Sequence, residues 1–142
     1  MLARNTKPIL GTVLGMAFSL ASQASALDGI VIANDSVPAN QLAPSMVKDI
    51  YVGKTMYWEG GQAIVLVVAG NSTDAAIQEA SGMSSTQFRT HWQRLGFSGR
   101  GQPPKKADDV ARAIALVRAT KGAIAIIPAG AEIAGVKTLD VK

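Results

Sequence analysis

Five consecutive apolar residues, Ile64-Val65-Leu66-Val67-Val68, stop at Ala69-Gly70-Asn71-Ser72-Thr73-Asp74, and a segment with helical spacing from Ile77 to Ala80 follows. A mostly β-branched run that does not alternate is the pattern of a strand buried on both faces, the habit of a parallel sheet covered by helices. Such a strand hands the chain to the carboxyl edge of the sheet. There Gly70 permits a tight turn, and Asn71, Ser72 or Thr73 can cap the next helix. Backbone N–H groups and the positive end of a helix dipole converge at such a turn, so it suits a small anion. The alternative is that Ser72 or Thr73 caps a helix and does nothing more.

The N-terminal segment is read as a targeting sequence. Arg4 and Lys7 precede an apolar run from Ile9 to Ala21 that is too short to span a bilayer, and Ala24-Ser25-Ala26 has the small-x-small form that a signal peptidase accepts. Residues 1–26 are therefore expected to be a cleavable signal peptide and residues 27–142 a single mature domain, with a retained membrane anchor as the alternative. Removing two cations and no acid lowers the formal charge from +4 to +2, which does not support a global nucleic-acid footprint. The 142 residues include no cysteine, so neither disulfides nor a lipidated N-terminal cysteine can hold the mature chain. A soluble periplasmic protein, with no stable membrane insertion after cleavage, is the expectation.

From Gly29, Ile30-Val31-Ile32-Ala33 reads as a first buried strand, ended by the turn chemistry of Asn34-Asp35-Ser36 and Pro38. Pro44 fits a helix start, Leu42, Met46 and Ile50 fall four apart as its inward face with Tyr51 beside them, and Gly53 ends it. Trp58 lies in a turn-rich connection with Glu59-Gly60-Gly61, where it either bridges helix and loop by packing or offers a ring to a ligand. After the Gly70 turn, Gly82 breaks the chain and Ser84 with Gln87 forms a capping-box pattern. Phe88, Trp92 and Leu95 then line one side of a helix, with Arg89, Gln93 and Arg94 expected opposite. His91 is the single histidine, with no cysteine or second histidine to share a metal.

The stretch Gly96 to Lys106 holds three glycines and two prolines and is expected to be irregular. Arg100, Lys105 and Lys106 make it cationic, with no acid between Arg89 and Lys106. It reads as a solvated basic loop, an anion clamp or a docking surface. Asp108 or Asp109 caps a further helix with Val110, Ile114 and Val117 inward. Ala123-Ile124-Ala125-Ile126-Ile127 is a third buried strand that Pro128 ends, and Val136 to Val141 alternates as an edge strand. The order of elements predicts a three-layer α/β/α domain with a mainly parallel sheet.

Taken together, Tyr51-Val52-Gly53-Lys54 leading to Trp58, Phe88 to Trp92, Phe97-Ser98-Gly99-Arg100-Gly101 with Pro103-Pro104, and Gly122-Ala123-Ile124 leading to Pro128 fall in a familiar order. The chain resembles phosphate-type periplasmic substrate-binding proteins, and more closely their short stand-alone, substrate-binding-like members. The resemblance covers almost all of the mature chain. It implies one lobe of a type 2 periplasmic binding protein fold, whose full-length members bind an oxyanion between two lobes. The family's second-lobe anion loop has the form R-x-x-G-S-G-T. Here Gly70 and Thr73 match, Asn71 and Ser72 replace the middle pair, and Val67 stands where the arginine would be. Losing a bidentate arginine leaves backbone dipoles and hydroxyls to hold an anion, so weak phosphate binding is implied.

The resulting expectation is a non-enzymatic exported protein related to phosphate uptake by ABC transporters, without cofactor or metal. Gly70, Asn71, Ser72 and Thr73 form its oxyanion loop, and Arg100 supplies charge that Val67 lacks. The alternative is an interaction or structural envelope protein that kept the lobe and lost the ligand, pairing with its own copy or with an envelope partner. No cysteine, one histidine and no G-x-S-x-G or metal-spaced cluster argue against an enzyme.

Overall fold

A computed structural model describes residues 29–142; the expected signal peptide lies outside them. The first strand, β1 (Ile30–Ala33), is followed by a two-residue strand, β2 (Gln41–Leu42), and a helix, α1 (Pro44–Tyr51). The apolar run becomes β3 (Val65–Ala69). A 3-10 turn over Gly70–Thr73 leads from it into α2 (Asp74–Ser81), then α3 (Ser85–Phe97). A short strand β4 (Lys105–Ala107), helix α4 (Val110–Ala119) and strands β5 (Ala123–Ile127) and β6 (Lys137–Val141) complete the chain.

The six strands form one sheet in the order β2-β6-β1-β5-β3-β4. β1 is antiparallel to both β5 and β6, whereas β2 runs parallel to β6, and β3 runs parallel to β4 and β5. The sheet is therefore mostly parallel, with β1 alone reversed. Alternate residues feed two cores. Val31, Ala33, Leu66, Ile124, Ile126 and Leu139 pack against α1, α2 and α3 on one face. Ile32, Val67, Ala69, Ala123, Ala125 and Ile127 pack against α4 on the other. This is the three-layer arrangement that unbroken apolar strands require, since both faces of each must be covered. β5 is buried at every residue and lies between β1 and β3.

The starts of α1, α3 and α4 follow their sequence signals, whereas no side chain of Asn71, Ser72 or Thr73 caps α2. Pro44 opens α1. Ser84 and Gln87 form a reciprocal capping box on α3, with Gln87 N–H donating to Ser84 Oγ at 3.2 Å and Ser84 N–H to Gln87 Oε1 at 3.0 Å. Of the two aspartates before α4, Asp109 is the cap, its carboxylate accepting from Arg112 N–H at 2.8 Å; Asp108 instead pairs with the Arg112 guanidinium at the surface.

Four local expectations need correction. The inward face of α1 is Val47, Ile50 and Tyr51, while Met46 is exposed and Leu42 belongs to β2: a short strand before Pro44 displaced the helical register. β6 is not an edge strand, because β2 pairs on its outer side, although Thr138 and Asp140 remain exposed about buried Leu139. The stretch from Gly96 to Lys106 is not all irregular, since Gly96 and Phe97 end α3 and Lys105 and Lys106 enter β4. Arg89 and Gln93 do not lie opposite the aromatic stripe of α3; they border the same cleft as Phe88 and Trp92.

Trp58 is a packing residue, buried, with its indole N–H donating to Gly122 O at 3.0 Å. His91 Nε2 lies 2.7 Å from Val52 O, and its ring meets Trp92 edge-on, so the histidine ties α3 to the end of α1.

Candidate functional site

The apolar strand β3 ends at Ala69, and Gly70 takes φ +51°, the left-handed conformation that glycine adopts without steric cost. The reversal places Gly70 beside the end of β4; a Cβ there would stand 3.3 Å from Asp108 O. Thr73 is buried, and its Oγ1 accepts from Ala69 N–H at 3.3 Å, which ties the turn back onto the strand. Neither the 3-10 turn nor α2 is closed by a side-chain cap. The leading N–H groups of a helical segment have no acceptor within it, so an uncapped start leaves donors for water or a ligand.

This turn borders a cleft of about 400 Å³. Val68 and Ile77 line it together with Phe88 and Trp92, all members of the core beneath α1, α2 and α3 or packed against it. Pro103 and Pro104 close another side. The rim is polar: Gly70, Asn71 and Asp74 at the turn, Ser85, Arg89 and Gln93 along α3, and Lys106 on β4. Two simple periodicities put these side chains there. Ser85, Arg89 and Gln93 recur every four residues on α3, next to the stripe of Phe88 and Trp92. On the sheet, Lys106 pairs in register with Val68, so both project to the face that carries α2 and α3.

Three charged groups meet at this cleft, and none is engaged elsewhere. Arg89, Lys106 and Asp74 make no side-chain hydrogen bond or ion pair among the described residues, where Arg112–Asp108 is the ion pair found. Asp74 occupies the first turn of α2, where a carboxylate partly neutralises the positive helix end. The cleft can thus attract an anion through Arg89, Lys106 and turn amides, and Asp74 opposes that attraction.

Of the residues singled out by sequence, Gly70 and Asn71 line the cleft, Thr73 is buried against Ala69, and Ser72 is exposed outside the lining. Arg100 is exposed beyond the end of α3, its N–H donating to Leu95 O at 2.9 Å, and does not border the cleft. The structure brings forward two cations that sequence reasoning left out of the site, Arg89 and Lys106. The four-residue recurrence on α3 could have pointed to Arg89; nothing local marked Lys106 as part of a strand. Among the described residues, no cluster of three histidine, cysteine or acidic side chains could hold a metal, and no helix is long and apolar enough to cross a membrane.

The three-layer α/β/α lobe thus carries a cleft over β3 and β4, running from the Gly70 turn at the end of β3 to Pro103 and Pro104 ahead of β4. No protein-family model matches the sequence, and no curated protein is similar to it. Solved structures are similar. One is a Clostridium perfringens protein assigned as a phosphate ABC transporter substrate-binding protein and solved with bound phosphate, 25% identical, with a TM-score of 0.61 over 80% of this chain and 45% of that one. Another is an ABC-type phosphate transport receptor from Vibrio cholerae, 17% identical, with a TM-score of 0.55 over 80% of this chain and 46% of that one, a likeness of fold alone. The chain resembles a single lobe of a phosphate-type substrate-binding protein and spans under half the length of either structure.

Proposed function

We propose that the protein is a non-enzymatic, exported binding module related to phosphate uptake, which takes a small oxyanion such as phosphate in the cleft beside Gly70. One observation carries this reading: an uncapped turn at the carboxyl end of β3 opens into a cleft rimmed by two uncommitted cations, Arg89 and Lys106. In open α/β sheets, ligands lie outside the carboxyl ends of strands where successive connections diverge. From β3 the chain passes to β4 on its outer side, then returns through α4 to β5 on its inner side. Gly70 and Asn71 offer backbone donors, Thr73 holds the turn in shape, and Arg89 and Lys106 supply the charge that Val67 cannot. Ser72 and Arg100 stand outside the cleft and contribute at most a hydroxyl at the turn and long-range charge.

Exposed cations bind weakly and are screened by salt. Calorimetric titration with inorganic phosphate at low ionic strength is expected to show saturable heat in the millimolar range that fades as salt is added. No heat at millimolar phosphate would contradict the proposal.

Phe97 favours a second reading. It is 92% exposed at the end of α3, next to the glycine-rich segment that carries Arg100, as an apolar anchor for a partner chain would be. On that reading the lobe is an interaction protein of the cell envelope or pairs with its own copy. Light scattering decides the latter: a dimer that Phe97→Ser dissociates supports it, and a strict monomer counts against it.

A further inference from the structure

The cleft is larger and more apolar than a bare oxyanion requires. Its volume of about 400 Å³ lies in the range of sites that enclose organic molecules, ~300–1,000 Å³. A tetrahedral oxyanion has five heavy atoms and would fill a fraction of it. Nor would such an ion be matched by the walls. Val68, Ile77, Phe88 and Pro104 present carbon, and a hydrated ion set against carbon loses solvation with nothing in return. The groups that can recognise charge, Arg89 and Lys106, stand at the rim and are free to turn toward whatever the cleft holds.

We propose that the cleft is built for an organic anion, specifically a phosphate monoester with an apolar body. The phosphoryl head lies between Arg89 and Lys106, and the body lies on the Val68–Ile77–Phe88 floor against Pro103 and Pro104. This rests on the oxyanion reading above and deepens it by naming the class of ligand. Two independent features carry it: the carbon lining, which a free anion does not need, and cations of one sign on two separate elements, α3 and β4, flanking that lining. Asp74 acts in the same direction. A carboxylate at the turn penalises most strongly the ligand whose charge sits closest to it. A monoester anchored by its body keeps its head at the Arg89–Lys106 side, whereas a free ion drawn to the turn amides meets Asp74.

The test is a nitrogen-15 NMR titration of the whole protein with four probes: inorganic phosphate, methyl phosphate, phenyl phosphate and benzyl alcohol. The two tryptophans separate the site from the rest, because Trp92 lines the cleft and Trp58 does not. Phenyl phosphate is expected to move the Trp92 indole and the Phe88, Arg89 and Lys106 amides, leaving the Trp58 indole in place. It should half-saturate at a concentration at least tenfold below that of the other three probes. The exposed double variant Arg89→Ala/Lys106→Ala should weaken phenyl phosphate at least tenfold and leave benzyl alcohol unchanged. Equal response to phenyl and inorganic phosphate would overturn the proposal and leave the oxyanion reading standing. Equal response to phenyl phosphate and benzyl alcohol would overturn both, as would shifts centred on Trp58 or no shift with any probe.

Discussion

Gly122 has tighter demands on it than any residue of the cleft. Its φ is +78°, and a Cβ on it would fall 2.2 Å from Ala63 O, an approach that only glycine permits. Its N–H donates to Ser36 Oγ, and its carbonyl accepts from both the Trp58 indole and Val65 N–H, so three separate segments converge on one residue. Gly122→Ala is expected to destabilise the protein by about 2–4 kcal/mol in urea unfolding, through backbone strain and displacement of the β3–β5 pairing. Tyr51 poses the opposite problem. Its ring fills the core beneath α1 and Phe88, and its hydroxyl is buried without a hydrogen bond of good geometry. Burial pushes that phenol well above its ordinary value of about 10, and the Ile126 backbone opposes the shift more weakly. The unfolded chain therefore loses the Tyr51 proton at lower pH than the folded one, and stability falls as pH rises above about 10. Tyr51→Phe is expected to be neutral or stabilising by about 1 kcal/mol at pH 7. Its unfolding free energy should decline less steeply above pH 10 than that of the unsubstituted protein. A loss of several kcal/mol at pH 7 would mean that the hydroxyl has a partner.

At the scale of elements, a polar side chain ties the end of β1 to the end of α4. Asn34, just past β1, donates through Nδ2 to Val117 O and Arg118 O, both at 2.9 Å, and so closes the last carbonyls of α4. Its Oδ1 accepts from Ser36 N–H. Asn34→Ala is expected to cost about 2–3 kcal/mol, measured by chemical unfolding, because it removes two hydrogen bonds to the last carbonyls of α4 and the turn bond from Ser36 N–H. In sequence, Asn34 reads only as turn chemistry; that its amide reaches a helix more than eighty residues away depends on the antiparallel docking of β1 on β5. Elements with strong local signals are legible in the sequence: β3 and β5 from their unbroken apolar runs, α3 from its capping box. β2 and β4 were not, since two or three residues carry no period and pair only because a neighbouring strand edge was open. The candidate site split along the same line. The Gly70 turn was visible in the chain, whereas Lys106 depended on β4 and its register with Val68.

For the whole molecule, the sheet sets the cleft and the charge around it sets what can enter. Arg89 and Lys106 attract an anion, and Asp74 repels it from the turn. Asp74→Asn is expected to tighten inorganic phosphate about 3- to 10-fold in low salt, the effect shrinking as ionic strength rises. No change would place the bound anion away from α2. The described lobe matches under half the length of either phosphate-transport structure. Arg89 and Lys106 are exposed at the rim, which fits weak, salt-sensitive binding. On the proposed function an oxyanion settles where the β3 turn faces α3 and β4. A crystal structure grown in phosphate is then expected to show tetrahedral density in the cleft, within hydrogen-bonding reach of the Arg89 guanidinium, Lys106 Nζ and the Gly70–Asn71 amides. Phosphate density confined to other surfaces, with this cleft holding only water at saturating phosphate, would contradict it.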